Sequence, residues 1–160
     1  MPKFNFIQLD VFTDHAFAGN PLAVFPEAEG VTDEQMQQIA REMNLSETVF
    51  VLPSDKEGVL RRLRIFTPGR ELPFAGHPIV GTWNCLAREG VVPLPENGNG
   101  RVHLKHEVGI GVLPIEIDFK GGERASVKIR PPAALPGLWE GIWFITRRRG
   151  SMRLMAFTNL

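Results

Sequence analysis

Apolar residues recur along this chain in two rhythms, and one stretch follows neither. Phe4 to Phe12 (FNFIQLDVF) alternates, with Phe4 and Phe6 and then Leu9 and Val11 on alternating positions that change face near Gln8. That is the period of a strand. A turn at Thr13-Asp14-His15 follows, and a second at Gly19-Asn20-Pro21 leads into the short apolar strand Leu22-Ala23-Val24-Phe25, which stops at Pro26. From Thr32 to Met43 the rhythm becomes helical. Met36, Ile39, Ala40 and Met43 form one stripe, Thr32 and Gln35 make a capping box, Asp33 and Glu34 fill the first turn, and Asn44 suits a left-handed close. Such a helix lies on the outside of something. Leu45 to Leu52 then reads as a strongly apolar strand with Glu47 at its mouth, and Leu60 to Thr67 as a strand alternating basic and apolar residues. Pro68-Gly69 turns that strand into Glu71-Leu72-Pro73-Phe74.

The stretch without a period is Arg70 to Gly90. Ala75-Gly76-His77 is a tight bend, and residues 78–89 are predicted to form a helix, with Pro78 at its first position and Gly90 as its stop. Ile79, Val80, Trp83, Leu86 and Ala87 are apolar, Gly81, Thr82 and Cys85 are small, and only Asn84, Arg88 and Glu89 are firmly polar. A helix apolar on nearly every side is surrounded by protein. Its N-terminus therefore aims free N–H groups and a positive dipole end out of a buried element, with His77 beside them. That is a seat for a carboxylate or an enolate-like oxygen.

Beyond Gly90 lies a loop, VVPLPENGNG, followed by strands over Arg101 to Lys105 and Gly109 to Phe119. Lys120-Gly121-Gly122-Glu123 turns the chain into a last strand, Ala125 to Arg130. Strands paired around one apolar helix predict a sheet curled about it. Residues 1–130 are thus expected to form one domain. Residues 131–160, with their prolines, two tryptophans and the Arg147-Arg148-Arg149 run, have no clean period and read as an atypical tail, with a truncated or frame-shifted gene as one possible origin.

Composition narrows the classes. Among 160 residues, 43% are hydrophobic and 22% charged, which is the balance of a globular domain. Eighteen acidic residues offset eighteen basic ones, which argues against nucleic acid as a partner, and no apolar run is long enough to span a bilayer. The opening MPKFNFIQLD lacks the apolar core of a signal peptide, so the expected location is the cytoplasm. One cysteine excludes an internal disulfide, and His15, His77, His103 and His106 never fall into a metal-ligand spacing. No metal is expected.

Two positions carry candidate chemistry beside the helix opening. Glu47 is the one acid in an eight-residue apolar stretch. If buried, its carboxyl would be desolvated and suited to acid–base work near neutral pH; if exposed, it is an ordinary solvated glutamate. Asn20 can present an amide to a ligand or simply fix the turn before Pro21. By itself the Gly76-His77-Pro78 stretch favours the bland reading, common turn chemistry before a helix with a capping or surface histidine.

Five blocks taken together say more. Asp10-Val11-Phe12-Thr13, Gly19 to Phe25, Met36-Gln37 with Ile39-Ala40, Asn44-Leu45-Ser46-Glu47-Thr48 and Glu71-Leu72-Pro73-Phe74-Ala75-Gly76-His77-Pro78 resemble, in order, the PhzF family of phenazine-biosynthesis-like isomerases. The resemblance covers residues 4 to about 90, weakens through 130 and matches only the N-terminal half of such proteins. It implies an α+β, diaminopimelate-epimerase-like half: a rolled, mostly antiparallel sheet around the central helix of residues 78–89. It further implies a cofactor-independent, metal-free proton shift on a small carboxylated substrate. Glu47 takes the role of the proton-moving glutamate, and Gly76 and His77 match the pair that holds the substrate. Related racemases use two cysteines, one of them just before the helix-opening glycine. Ala75 stands there in this chain, and Cys85 is expected to be a small core residue. A single half lacks the second wall of the cleft, so the expected active form is a homodimer; the alternative is an incomplete half that binds small acids or associates without turnover.

Overall fold

The structure is a computed structural model and describes residues 3–13, 15, 17–129 and 153–157. Among the described residues nine strands form one sheet. They are β1 (Phe4–Val11), β2 (Asn20–Phe25), β3 (Glu47–Leu52), β4 (Arg61–Phe66), β5 (Glu71–Leu72), β6 (Gly100–Val108), β7 (Gly111–Lys120), β8 (Glu123–Ile129) and β9 (Arg153–Phe157). Helix α1 (Asp33–Met43) lies between β2 and β3 in the chain, and α2 (Gly76–Arg88) between β5 and β6. The strand order is β8-β7-β6-β4-β3-β2-β1-β9, with β5 on the edge of β4 that β6 leaves open. Only β2–β3 and β4–β6 run parallel; the other pairs are antiparallel.

The sheet is rolled, and α2 is what it rolls around. The helix packs on β1, β2 and β3 and also on β8, from the far end of the strand order. Every residue from Pro78 to Ala87 is buried, as an all-apolar helix requires. Strand alternation then sorts side chains between two cores. Leu22, Val24, Val49 and Val51 face α2, while Ala23, Phe25 and Phe50 face α1. On the α1 side Phe25 stacks between Phe6 and Phe50, with ring centroids 5.4 and 4.9 Å away, and Phe66 meets Phe50 edge-on. Helix α1 closes this layer as its stripe predicts. Met36, Ile39 and Ala40 are buried, Thr32 and Gln35 form the reciprocal capping box, and Asn44 ends the helix at φ 48°.

Helix α2 differs from expectation at both ends. It begins at Gly76 rather than residue 78, because Ala75 is the extended cap (φ −155°) and Gly76 and His77 are already helical. Pro78 is therefore its third residue, still within the turn where no intrahelical N–H is required. The last helical residue is Arg88. Gly90, at φ +76°, lets the N–H groups of Gly90 and Val91 reach back to the carbonyls of Ala87 and Leu86.

Strand β6 runs on to Val108, past the expected end at Lys105, and Gly109-Ile110 is a hairpin turn. The pair His106-Glu107 looks like a polar break, yet both are buried: His106 against Trp83, Glu107 beneath Lys56 (2.8 Å) and Ser54 (2.8 Å). Strand β2 starts at Asn20, ahead of Pro21; pairing with β3 begins only at Leu22, so the proline costs that ladder no hydrogen bond. From the segment expected to be a tail, Arg153–Phe157 pairs antiparallel with β1. The Arg147–Arg149 run and the rest of 131–160 lie outside the described residues. Among the described residues no helix is long and apolar enough to cross a membrane.

Candidate active site

Glu47 opens β3 in register with Leu22 of β2, on the face of the strand that also carries Val49 and Val51 toward α2. His77 is the second residue of α2. The two meet. His77 Nε2 lies 3.0 Å from Glu47 Oε2, and the side chains are 13% and 15% exposed. The pair touches without the alignment of a hydrogen bond, and neither atom has another partner among the described residues. Each is a sheltered polar group whose hydrogen-bonding capacity is still to be used, worth about 1–3 kcal/mol apiece.

The helix start adds the positive field. Ala75 makes no side-chain cap, and no acidic residue sits in the first turn, in contrast to α1 with Thr32, Asp33 and Glu34. The first N–H groups of α2 are thus without a capping side chain. Gly76 presents no Cβ there, which is what lets a ligand approach backbone closely. Negative charge placed here meets the dipole end directly.

Asn20 stands at the start of β2, paired with Val11, and its side-chain oxygen accepts a 3.1 Å hydrogen bond from Ser46 Oγ. That bond links the entry of β2 to the residue just before Glu47. Beside that bond, the Asn20 side chain carries an NH2 with two donors. Glu47, His77 and Gly76 are therefore brought together at one helix end, and Asn20 is tied to the same strand ends through Ser46.

Cys85 is buried far down α2, and burial pushes its thiol up to about 12. A thiol of that kind is not a base near neutral pH. Its place is in the core, as the sequence predicts.

Sequence reasoning left one neighbour unassigned. Phe12 follows β1 with φ +64°, is 40% exposed, and holds its ring centroid 6.3 Å from that of His77, tilted by 58°. A bulky residue in left-handed backbone costs roughly 1–2 kcal/mol. No sequence pattern announces such a conformation outside glycine, asparagine and aspartate.

Comparison with known proteins gives the family and the fold. Residues 9–136 match the family described as phenazine biosynthesis-like protein, PhzC-PhzF. An uncharacterized isomerase of Pasteurella multocida is 52% identical over 102 residues, which are 62% of this chain and 35% of that protein. The trans-2,3-dihydro-3-hydroxyanthranilate isomerase of Pseudomonas aeruginosa is 38% identical over 127 residues, 79% of this chain and 42% of that protein. Among solved structures, the Bacillus anthracis phenazine biosynthesis protein of the PhzF family superposes with a TM-score of 0.67 at 35% identity, over 81% of this chain and 41% of that one. A probable proline racemase from Agrobacterium radiobacter shares the fold, with a TM-score of 0.60 at 16% identity. The chain thus spans well under half the length of the relatives it matches. Since the match runs from residue 9, near the end of β1, past the end of β8, and so covers most of the chain, the chain belongs to the phenazine biosynthesis-like (PhzC-PhzF) family, an isomerase family.

Proposed function

We propose that this chain is one wall of an isomerase site that moves a proton on a small carboxylated metabolite, with Glu47 as acid and base. The observation that carries the reading is the 3.0 Å approach of Glu47 Oε2 to His77 Nε2 at the uncapped start of α2. The substrate carboxylate sits over the N–H groups of Gly76 and His77, and the Asn20 NH2 is a further contact. Glu47 takes a proton from a carbon conjugated with that carboxylate. Electron density then flows toward the carboxylate oxygens, where the helix end stabilises it. The same carboxyl returns the proton at another carbon of the conjugated system. Proton out and proton in balance with no change of oxidation state, so this route calls for neither a redox cofactor nor a metal.

The opposite wall is supplied by a second copy of the chain, making the working form a homodimer that shuts water out of the cleft. A second reading is favoured by length: the chain covers 35% and 42% of two relatives, so a half-site that binds a small acid without turning it over is the alternative. One experiment separates them. Trans-2,3-dihydro-3-hydroxyanthranilate, the compound named for the Pseudomonas relative, is incubated with the protein in D2O while light scattering reports its mass. Deuterium entering a carbon position in the presence of a dimer supports the isomerase. Binding without exchange supports the half-site, and a strict monomer that still exchanges removes the second copy from the mechanism.

A further inference from the structure

The loop between α2 and β6 carries the dipeptide Asn-Gly twice in succession, as Asn97-Gly98 and Asn99-Gly100. It lies at the end of β6 and β7 away from their hairpin turn, Gly109-Ile110, which packs on Pro73. Asparagine before glycine is the pair in which a side-chain amide most readily reacts with its own backbone, because glycine has no Cβ to shield the next nitrogen. In an unfolded chain the two copies are equivalent. The fold makes them different.

Asn99 is held at both ends of its amide. Nδ2 donates to Asn97 O at 2.8 Å, and Oδ1 accepts from Gly121 N at 2.8 Å. The nitrogen that would attack it belongs to Gly100, the first residue of β6 and in register with Phe119 of β7. Asn97 is exposed, and its side chain has no hydrogen bond among the described residues. The nitrogen after it belongs to Gly98, whose N–H donates to Pro95 O at 2.8 Å within a surface turn. Reaction at Asn97 therefore waits only on the opening of that turn, whereas Asn99 must also shed two side-chain bonds and leave a strand. Opening a surface turn is among the least costly local unfolding events in a protein.

We infer that Asn97 is a site of spontaneous covalent modification. Gly98 N gives up its proton to base and bonds to Asn97 Cγ; the Cγ–Nδ2 bond breaks, ammonia leaves, and a succinimide ring closes. Water then adds at either ring carbonyl and opens it to aspartate or isoaspartate, with nothing oxidised or reduced. The consequence follows from what Gly98 holds. Its carbonyl accepts from Gly122 N at 2.8 Å, and a Cβ on Gly98 would stand 2.8 Å from that same nitrogen. Isoaspartate inserts an extra backbone carbon just before this contact, which is too close to absorb it. Modification thus unfastens the loop from the turn that joins β7 to β8.

The full chain is aged in mildly alkaline buffer, both folded and in guanidinium chloride, and peptide digests are followed by mass spectrometry. In the folded protein Asn97 should convert, with Asn99 slower by about tenfold or more, since two further hydrogen bonds must break. In guanidinium chloride the two rates should become alike. Asn97→Ser should abolish the fast conversion. Amide hydrogen exchange at Gly122 should quicken in aged wild type and stay unchanged in aged Asn97→Ser. Equal rates at the two positions in the folded protein, faster conversion at Asn99, or an intact Asn97 over a period in which the unfolded chain converts overturns the inference. Unaltered exchange at Gly122 in the isoaspartate form overturns the unfastening.

Discussion

Glu47 and His77 come from different layers of the chain, a strand end and a helix start, yet their side chains approach to 3.0 Å in a sheltered corner. Rolling the sheet around α2 is what brings them together. Strand β3 must point every second residue at the helix, and its first such residue is the glutamate. The pair is thus a consequence of packing Val49 and Val51 in the core.

Replacing Glu47 with Gln keeps shape and removes the base. The expected outcome is loss of solvent-deuterium exchange by roughly 100-fold or more, with the melting temperature within a few degrees of wild type. Exchange measured at the wild-type rate in this variant would take Glu47 out of the chemistry. Glu47→Asp retracts the carboxyl from His77 and should retain only part of the rate, which separates the position of the base from its presence.

His77→Ala tests binding instead. A charge-assisted contact to a carboxylate is worth about 1.5–3 kcal/mol, so affinity for a small acid should fall by about ten- to a hundredfold. The amides at the start of α2 remain, and binding should weaken without vanishing. Calorimetric titration with the same acid against both proteins reads the difference.

Much of this layout was legible in the sequence, and the reasons are local. The capping box of Thr32 and Gln35, the closing Asn44 and the apolar run through Trp83 act within a few residues, so they can be read without knowing the fold. The sequence pattern puts the start of α2 two residues late, because Pro78 can occupy any position in the first turn and only the extended Ala75 fixes the boundary. Glu47 stood out by its apolar neighbours, but its meeting with His77 depends on the curl of the sheet, which no local pattern encodes. Phe12 was invisible as anything other than the end of a strand, since its strain is imposed by a loop whose hydrogen bonds run between Asp10 and Phe17.

Gly81 sets how closely α2 can lie on the first two strands. A Cβ at this position would stand 2.6 Å from Leu22 Cδ2 and 2.7 Å from Val11 Cγ2, and both of those side chains are fully packed. Two effects of Gly81→Ala oppose each other. Alanine gains up to about 1 kcal/mol of helix propensity. Forcing a methyl into a filled core costs about 1–3 kcal/mol, and more where the neighbour is a stiff valine. Overpacking wins, so the variant should be less stable in urea. The displaced helix start should also lower affinity for carboxylates, because the seat at Gly76 and His77 moves with the helix. A stability gain would show that α2 can lift from β1 and β2 without loss.

His106 makes the protein sensitive to acid at a point remote from the chemistry. It lies on β6 with its ring 5.8 Å from that of Trp83, and neither ring nitrogen has a hydrogen-bond partner among the described residues. Burial alone pushes it down from 6.5 to about 4. In the unfolded chain the imidazole takes up its proton near 6.5; in the folded protein it resists until about 4. Between those values the unfolded state binds more protons, so stability rises with pH through that window. The full contribution is present above pH 6.5 and is lost progressively as pH falls toward 4, a span worth about 3 kcal/mol. His106→Leu removes the titration and the two unpaired nitrogens together while keeping an apolar neighbour for Trp83. The variant should match or exceed wild-type stability at pH 7, because removing unsatisfied buried polar atoms is neutral or favourable. At pH 5 it should be clearly the more stable of the two. Urea unfolding at pH 7, 6 and 5 checks this directly, and parallel lines for the two proteins across that range would show that His106 is not the group that acid reaches first.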